Sequence, residues 1–130
     1  HALLASGFVA VLCLLAWSEI TRKAQGIKEL STAQAVVWMN DAAAIVDVSA
    51  AIDFNKGHIV NARNIAMSRI TDPDAEVLKM KDSKVLLVCK TGQTALLAAA
   101  KLRKSGIENV AVLKGGMGQW IADQYPVTRK

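Results

Sequence analysis

Cysteine is scarce in this chain of 130 residues: there are two, Cys13 and Cys89. Two thiols so far apart make no disulfide framework, and with only two histidines they offer no metal-ligand spacing. Aromatics are also few, at 5%. The 16 Lys and Arg residues outnumber the 11 Asp and Glu but are scattered, with tighter clusters only at Arg22-Lys23, Lys101/Arg103/Lys104 and Arg129-Lys130. No aromatics interleave them, so a nucleic-acid surface is not expected. Internal repeats and low-complexity tracts are missing too. The length suits one domain with a proper core, which excludes a multi-domain enzyme.

Charge is wholly absent from residues 1–18, so the net +5 belongs entirely to residues 19–130. Within Ala2–Trp17 only Ser6 and Gly7 lie outside the apolar set. As a helix, the uncharged run Ala2–Ser18 is about 25 Å long, against a hydrocarbon core of ~30 Å. The chain opens on His1 rather than Met, and the span is expected to extend upstream. Trp17 suits an interfacial position and Arg22-Lys23 come soon after it. Residues 1–20 are therefore expected to be a single-pass transmembrane anchor in a bacterial inner membrane, the domain facing the cytoplasm. A signal peptide fits less well, because Ala16-Trp17-Ser18 followed by Glu and Ile is a poor cleavage site. A buried core helix is the third reading, but the run is apolar all round. Residues 21–26 read as a polar linker and 27–130 as the folded domain. Cys89 is that domain's only thiol, in keeping with a reducing compartment.

Strand and helix signals then alternate. Ile27–Leu30 reads as a short strand, and Ser31 or Thr32 caps a helix through Ala33–Met39. Ala44–Val48 is a buried strand ending on Asp47, followed by a helical turn over Ala50–Asn55. Ala62–Ala66 allows another short strand. Asp72 is expected to cap a helix with Pro73 at its first position, running to about Lys81. Val85–Cys89 is the clearest buried strand, and Gln93–Lys104 is a long helix stopped by Gly106. Val110–Leu113 is the last strand, and Gly115-Gly116 turns it toward a helix around Gln119–Gln124. The strands are continuous apolar runs without two-residue alternation, the mark of a parallel α/β sheet covered by helices on both faces. In such sheets the ligand site lies beyond the carboxyl ends of the strands, where Asp47, Cys89 and Lys114-Gly115 fall.

Cys89 ends a buried strand, a short loop containing Gly92 comes next, and a helix begins. Successive loop N–H groups and the helix N-terminus direct partial positive charge at the sulfur, and Lys90 adds a full one. That setting favours thiolate over thiol. The same N–H groups suit an anion such as thiosulfate, or the terminal sulfur of a persulfide. On strand position alone Cys89 reads as a small buried hydrophobe; the loop chemistry points the other way.

The chain resembles the rhodanese-like domain family. The resemblance lies in Asp47-Val48, Asp53-Phe54-x-x-Gly57-His58-Ile59, Ala62, Asn64-Ile65, Cys89-x-x-Gly92-x-Thr94 and Leu113-Lys114-Gly115-Gly116-x-x-x-Trp120. It spans Ile27 to about Val127 and implies a five-stranded parallel sheet with an active loop over Cys89–Thr94. It also implies that Cys89 takes sulfane sulfur from a donor as a persulfide and hands it to a nucleophile, with no cofactor. Lys90, Thr91, Gly92, Gln93 and Thr94 are then the anion-binding loop, and Asp47 supports it. The implied partners are a small sulfur anion such as thiosulfate, or a protein persulfide donor or acceptor, with the membrane contacted through residues 2–18. Three positions depart from the family pattern: Ser49 stands where Arg is frequent, Asp53 where Glu is usual, and Asn61 where Gly is usual. His58, inside the Gly-His-Ile motif, is expected to be structural rather than a base for Cys89.

Two neighbouring chemistries are excluded by single positions. A cysteine-dependent phosphatase needs Arg six positions after its cysteine to clamp phosphate, and that position is Ala95. A C-x-x-C redox pair fails because position 92 is Gly. Two readings remain: a membrane-anchored sulfurtransferase or persulfide carrier, and a docking module of the same fold that binds a membrane-associated protein with its cysteine idle.

Overall fold

The computed structural model describes residues 2–24 and 26–129. The first element, α1 (Ala2–Ala24), carries the apolar run. Its large side chains are exposed, Phe8 at 67% and Leu14 at 62%. Among the described residues no helix is long and apolar enough to cross a membrane. The expected single-pass inner-membrane placement, with the domain facing the cytoplasm and the membrane met through residues 2–18, is overturned by that finding. The physical reason is charge: Glu19, Arg22 and Lys23 occupy the last turns of the same helix, and charged side chains are costly in hydrocarbon. The side chains of Trp17, Arg22 and Lys23, read as interfacial markers, lie outside the described residues. Of the linker expected at 21–26, the part to Ala24 is helical.

The domain then runs as β1 (Lys28–Leu30), α2 (Thr32–Asn40), β2 (Ala44–Asp47), α3 (Ala51–Lys56), β3 (Arg63–Asn64), α4 (Met67–Thr71) and α5 (Ala75–Leu78). A 3₁₀ turn at Lys79–Asp82 leads to β4 (Val85–Val88), α6 (Gln93–Lys104), β5 (Val110–Leu113) and α7 (Gly116–Ala122). The strands form one five-stranded sheet in the order β1-β5-β4-β2-β3, and every pairing is parallel.

Burial on both faces explains the unbroken apolar runs. Val85, Leu87 and Cys89 point to one face, where Ile70, Val77, Ala98 and Leu102 of α4, α5 and α6 cover them. Leu86 and Val88 point to the other, under Ala35 of α2 and Met117 and Trp120 of α7. Ser31 caps α2 through a full capping box: its hydroxyl accepts from Gln34 N–H at 3.2 Å, and the Gln34 side chain accepts from Ser31 N–H at 3.0 Å.

Two stretches differ from expectation. Asp74, not Asp72, caps α5, its carboxylate accepting the Val77 N–H at 3.0 Å. The single helix expected from Pro73 to about Lys81 is instead α5 and a 3₁₀ turn, and α4 precedes it unforeseen; together they let Ile70, Val77 and Met80 all reach the core. The last helix begins at Gly116 rather than near Gln119. Gly115 and Gly116, at φ +77° and +60°, make the turn directly into it.

Candidate active site

The carboxyl ends of β2, β4 and β5 converge as parallel-sheet logic requires. β4 delivers Cys89 to the floor of its loop, 3% exposed. Its Sγ accepts the Gly92 N–H at 2.9 Å and the Ala95 N–H at 3.3 Å. Gly92 has φ +96°, and this left-handed step turns its N–H back onto the sulfur while leading into α6. Among the described residues no hydrogen bond engages the N–H groups of Lys90, Thr91, Gln93 or Thr94, so they remain available to an anion above the sulfur.

α7 holds the other side of the loop. Met117 N–H donates to the Cys89 carbonyl at 2.8 Å, and Gly118 N–H to the Lys90 carbonyl at 3.1 Å. Gly116 makes that approach possible: a Cβ there would lie 2.2 Å from the Cys89 carbonyl oxygen and 2.9 Å from the Gly92 nitrogen. From sequence Gly115-Gly116 reads as a tight strand-to-helix turn or a ligand cradle; the grip of Met117 and Gly118 on the loop is visible only in the fold.

Asp47 is 1% exposed. One carboxylate oxygen accepts the Ser49 N–H at 2.8 Å, and Asn64 Nδ2 donates to the carbonyls of Asp47 and Ser49 at 3.0 and 2.8 Å. The turn after β2 is thereby fixed without the arginine that Ser49 replaces. Asn61 adopts φ +70°, a conformation Asn tolerates better than most residues, which accounts for its standing where Gly is usual.

The loop's two flanks face different clefts. Lys90 joins Asp47, Ser49, Asp53 and Lys56 along a cleft of about 290 Å³, walled by Met117, Ile121 and Val127. Thr91, Gly92 and Gln93 instead line a cleft of about 200 Å³ with Glu29 and Lys114. Thr94 is exposed on the first turn of α6. His58 is buried and stacks on Phe54 with ring centroids 3.7 Å apart, its Nδ1 2.8 Å from the Phe54 carbonyl. Its backbone pairs with Thr128 in both directions at 2.8 Å, a structural placement. Trp120 is core, with Nε1–H donating to the Pro126 carbonyl at 2.9 Å.

A parallel five-stranded domain whose central strand ends on a cysteine, wrapped by loop N–H groups and braced by a glycine turn further along, defines a narrow class. The chain belongs to the rhodanese-like domain family, which it matches over residues 29–123. It is 29% identical over 131 residues to the uncharacterized protein YibN of Escherichia coli (strain K12), covering 99% of this chain and 92% of that protein. The probable adenylyltransferase/sulfurtransferase MoeZ of Mycobacterium tuberculosis (strain ATCC 25618 / H37Rv) is 29% identical over 83 residues, 64% of this chain and 21% of that protein. Among solved structures, the rhodanese-related protein of Thermoplasma volcanium is 25% identical, with TM-score 0.70, covering 79% of this chain and 99% of that one. At the level of the family, the role these similarities support is sulfur transfer.

Proposed function

We propose that this protein is a sulfurtransferase or persulfide carrier that moves sulfane sulfur through Cys89. The observation that supports this reading best is the pair of N–H groups, from Gly92 and Ala95, directed at Sγ. Two donors on one sulfur suit a sulfur bearing negative charge, and none of that polar environment is needed for a cysteine that only packs.

In the first half-reaction the Cys89 thiolate attacks the outer sulfur of a donor such as thiosulfate. The S–S bond of the donor breaks, sulfite leaves with the electron pair, and Cys89 becomes a persulfide anion. In the second, a nucleophile attacks the terminal sulfur, the Cys89–sulfur bond breaks, and the thiolate returns. The loop N–H groups of Lys90 to Thr94 hold the anionic sulfur, and Lys90, exposed at the rim, draws the donor in. Asp47 positions the turn beside the loop. A protein persulfide is the alternative donor class, served by the same cysteine.

Intact mass of the purified protein, before and after thiosulfate, tests the reading. We expect a gain of one sulfur atom, reversed by cyanide and absent from a Cys89→Ser variant. If neither thiosulfate nor a polysulfide donor adds sulfur to Cys89, the domain is a docking module with an idle cysteine.

A further inference from the structure

β3 is two residues long, Arg63–Asn64, and forms one edge of the sheet. It is shorter than strands usually are, and what it brings to the fold is Asn64. In register Asn64 stands beside Asp47, the last residue of β2. From there its Nδ2 group spans the turn that leaves β2, donating to the Asp47 carbonyl at 3.0 Å and to the Ser49 carbonyl at 2.8 Å. The Asp47 carboxylate closes the same turn by accepting the Ser49 N–H at 2.8 Å. Between the two clamped residues lies Val48, buried, and its N–H donates to the Val88 carbonyl at 2.9 Å. That last bond reaches the site. The Val88 carbonyl belongs to the peptide unit before Cys89, and the Cys89 carbonyl, in the unit after it, accepts the Met117 N–H at 2.8 Å. Peptide units are planar, so fixing the one on each side of a residue fixes its φ and ψ, and with them the direction of its Cα–Cβ bond. Sγ accepts the Gly92 and Ala95 N–H groups together, at 2.9 and 3.3 Å. Hydrogen bonds weaken steeply away from their preferred geometry, so both are met only from a narrow range of Cβ positions. α7 holds one of the two peptide units. The turn after β2 holds the other, and Asn64 holds that turn.

We propose that Asn64 is a positioning residue for the Cys89 sulfur. Through the Asp47–Ser49 turn and the Val48 N–H it sets the peptide unit before Cys89, and so directs Sγ at the Gly92 and Ala95 N–H groups. Asn64 lines neither cleft beside the loop, so it acts on the sulfur through the backbone and not on the donor. The effect on rate rests on the sulfur-transfer reading; the placement of Sγ does not.

The test is amide NMR on the parent, Asn64→Asp and Asn64→Ala. Aspartate keeps the shape of the side chain and removes both donors, whereas alanine removes them without adding charge, so failure of one to fold leaves the other. In either variant the Gly92 and Ala95 amide protons are expected to move upfield, as weakened hydrogen bonds require. The rate of Cys89 loading at saturating thiosulfate, followed by intact mass, should fall about tenfold, within the ~100-fold that a misplacement of about 1 Å costs. The thiosulfate concentration giving half that rate should stay where it is, because Asn64 lines neither cleft. Ile107→Ala is the control for a merely structural loss. Ile107 is fully buried just before β5, at the end of the sheet away from Cys89. Its truncation should lower stability in urea comparably and leave both amide resonances in place. Resonances unmoved in a folded Asn64 variant, an equal movement in Ile107→Ala, or loading at the parent's rate overturns the proposal. If the parent itself takes up no sulfur, the sulfur-transfer reading falls, while the two resonances still decide whether Asn64 places the sulfur.

Discussion

Gly116 and Gly118 lie two residues apart in the same helix, yet their replacement by alanine should have opposite effects. At Gly116 the new Cβ meets backbone: the Cys89 carbonyl oxygen at 2.2 Å, and the Gly92 nitrogen and Lys90 carbonyl carbon at 2.9 Å. None of these is the movable end of a side chain, so the turn or the loop must shift. The left-handed φ of +60° adds about 1–2 kcal/mol for a residue with a Cβ. Overpacking adds about 1–3 kcal/mol. The Met117 N–H to Cys89 carbonyl bond of 2.8 Å, if lost, adds about 1 kcal/mol more. Gly116→Ala should therefore cost about 3–6 kcal/mol, a large share of the ~5–15 kcal/mol that a domain commands. At Gly118 the Cβ meets only the Lys90 carbonyl oxygen at 3.6 Å, an ordinary contact. Gly118→Ala should stabilise by about 0.5–1 kcal/mol, the helix-interior preference for alanine. Urea unfolding followed by circular dichroism gives both numbers, and the sulfur-loading mass assay shows whether the Gly116 variant still presents Cys89 correctly. If Gly116→Ala unfolds within about 0.5 kcal/mol of the parent and loads sulfur normally, α7 does not hold the loop and the account of the site's second side is wrong.

Other expectations come from packing and charge. Leu102, fully buried under the sheet face that carries Cys89, should cost about 2–5 kcal/mol on truncation to alanine, read by the same urea titration. The Arg69 side chain hydrogen-bonds Asp74 at 2.7 Å and, with the Val77 N–H, holds that carboxyl below its usual 3.8. A carboxyl depressed on folding contributes stability that is present above its unfolded value and lost as pH falls through its folded one. Carboxyl NMR should therefore find Asp74 still ionised below pH 3.8. Arg69→Gln should move the midpoint up toward the usual value, and an unmoved midpoint would exclude the ion pair as the cause.

How far the sequence discloses this structure varies along the chain, and the reasons are local. β2, β4 and β5 are legible because both faces of a parallel sheet are covered, so Ala44–Val46, Val85–Val88 and Val110–Leu113 are uninterrupted apolar runs. α6 is legible because it is long enough for its period to show. The stretch from Met67 to Asp82 is not. Its helices are five and four residues long, too short for a 3.6-residue period to declare itself, and Asp72 and Asp74 are both chemically fit to cap. Tertiary burial of Val77 on one side, with Arg69 reaching Asp74 on the other, decides between them. The apolar run of α1 misleads for a different reason. Hydropathy over Ala2–Ser18 leaves out the other end of the same helix, where Glu19, Arg22 and Lys23 stand.

The site divides in the same way. Cys89, its glycine and the loop N–H groups are consecutive in sequence, and a strand–loop–helix reading is enough to aim them at one sulfur. The cleft is assembled instead from β2, α3, α7 and the chain after it, parts that no local pattern associates. Ile121 in particular reads as a surface residue of a terminal helix until α7 is seen to start at Gly116 and to bond the loop from its first turn. That difference separates two kinds of information. The chemistry proposed for Cys89 rests on a short contiguous motif that can be recognised in a single sequence. The cleft beside Cys89 is lined by side chains such as Asp53, Ile121 and Val127, whose proximity exists only in the fold. Substitutions there should leave the Gly92 and Ala95 bonds to the sulfur in place.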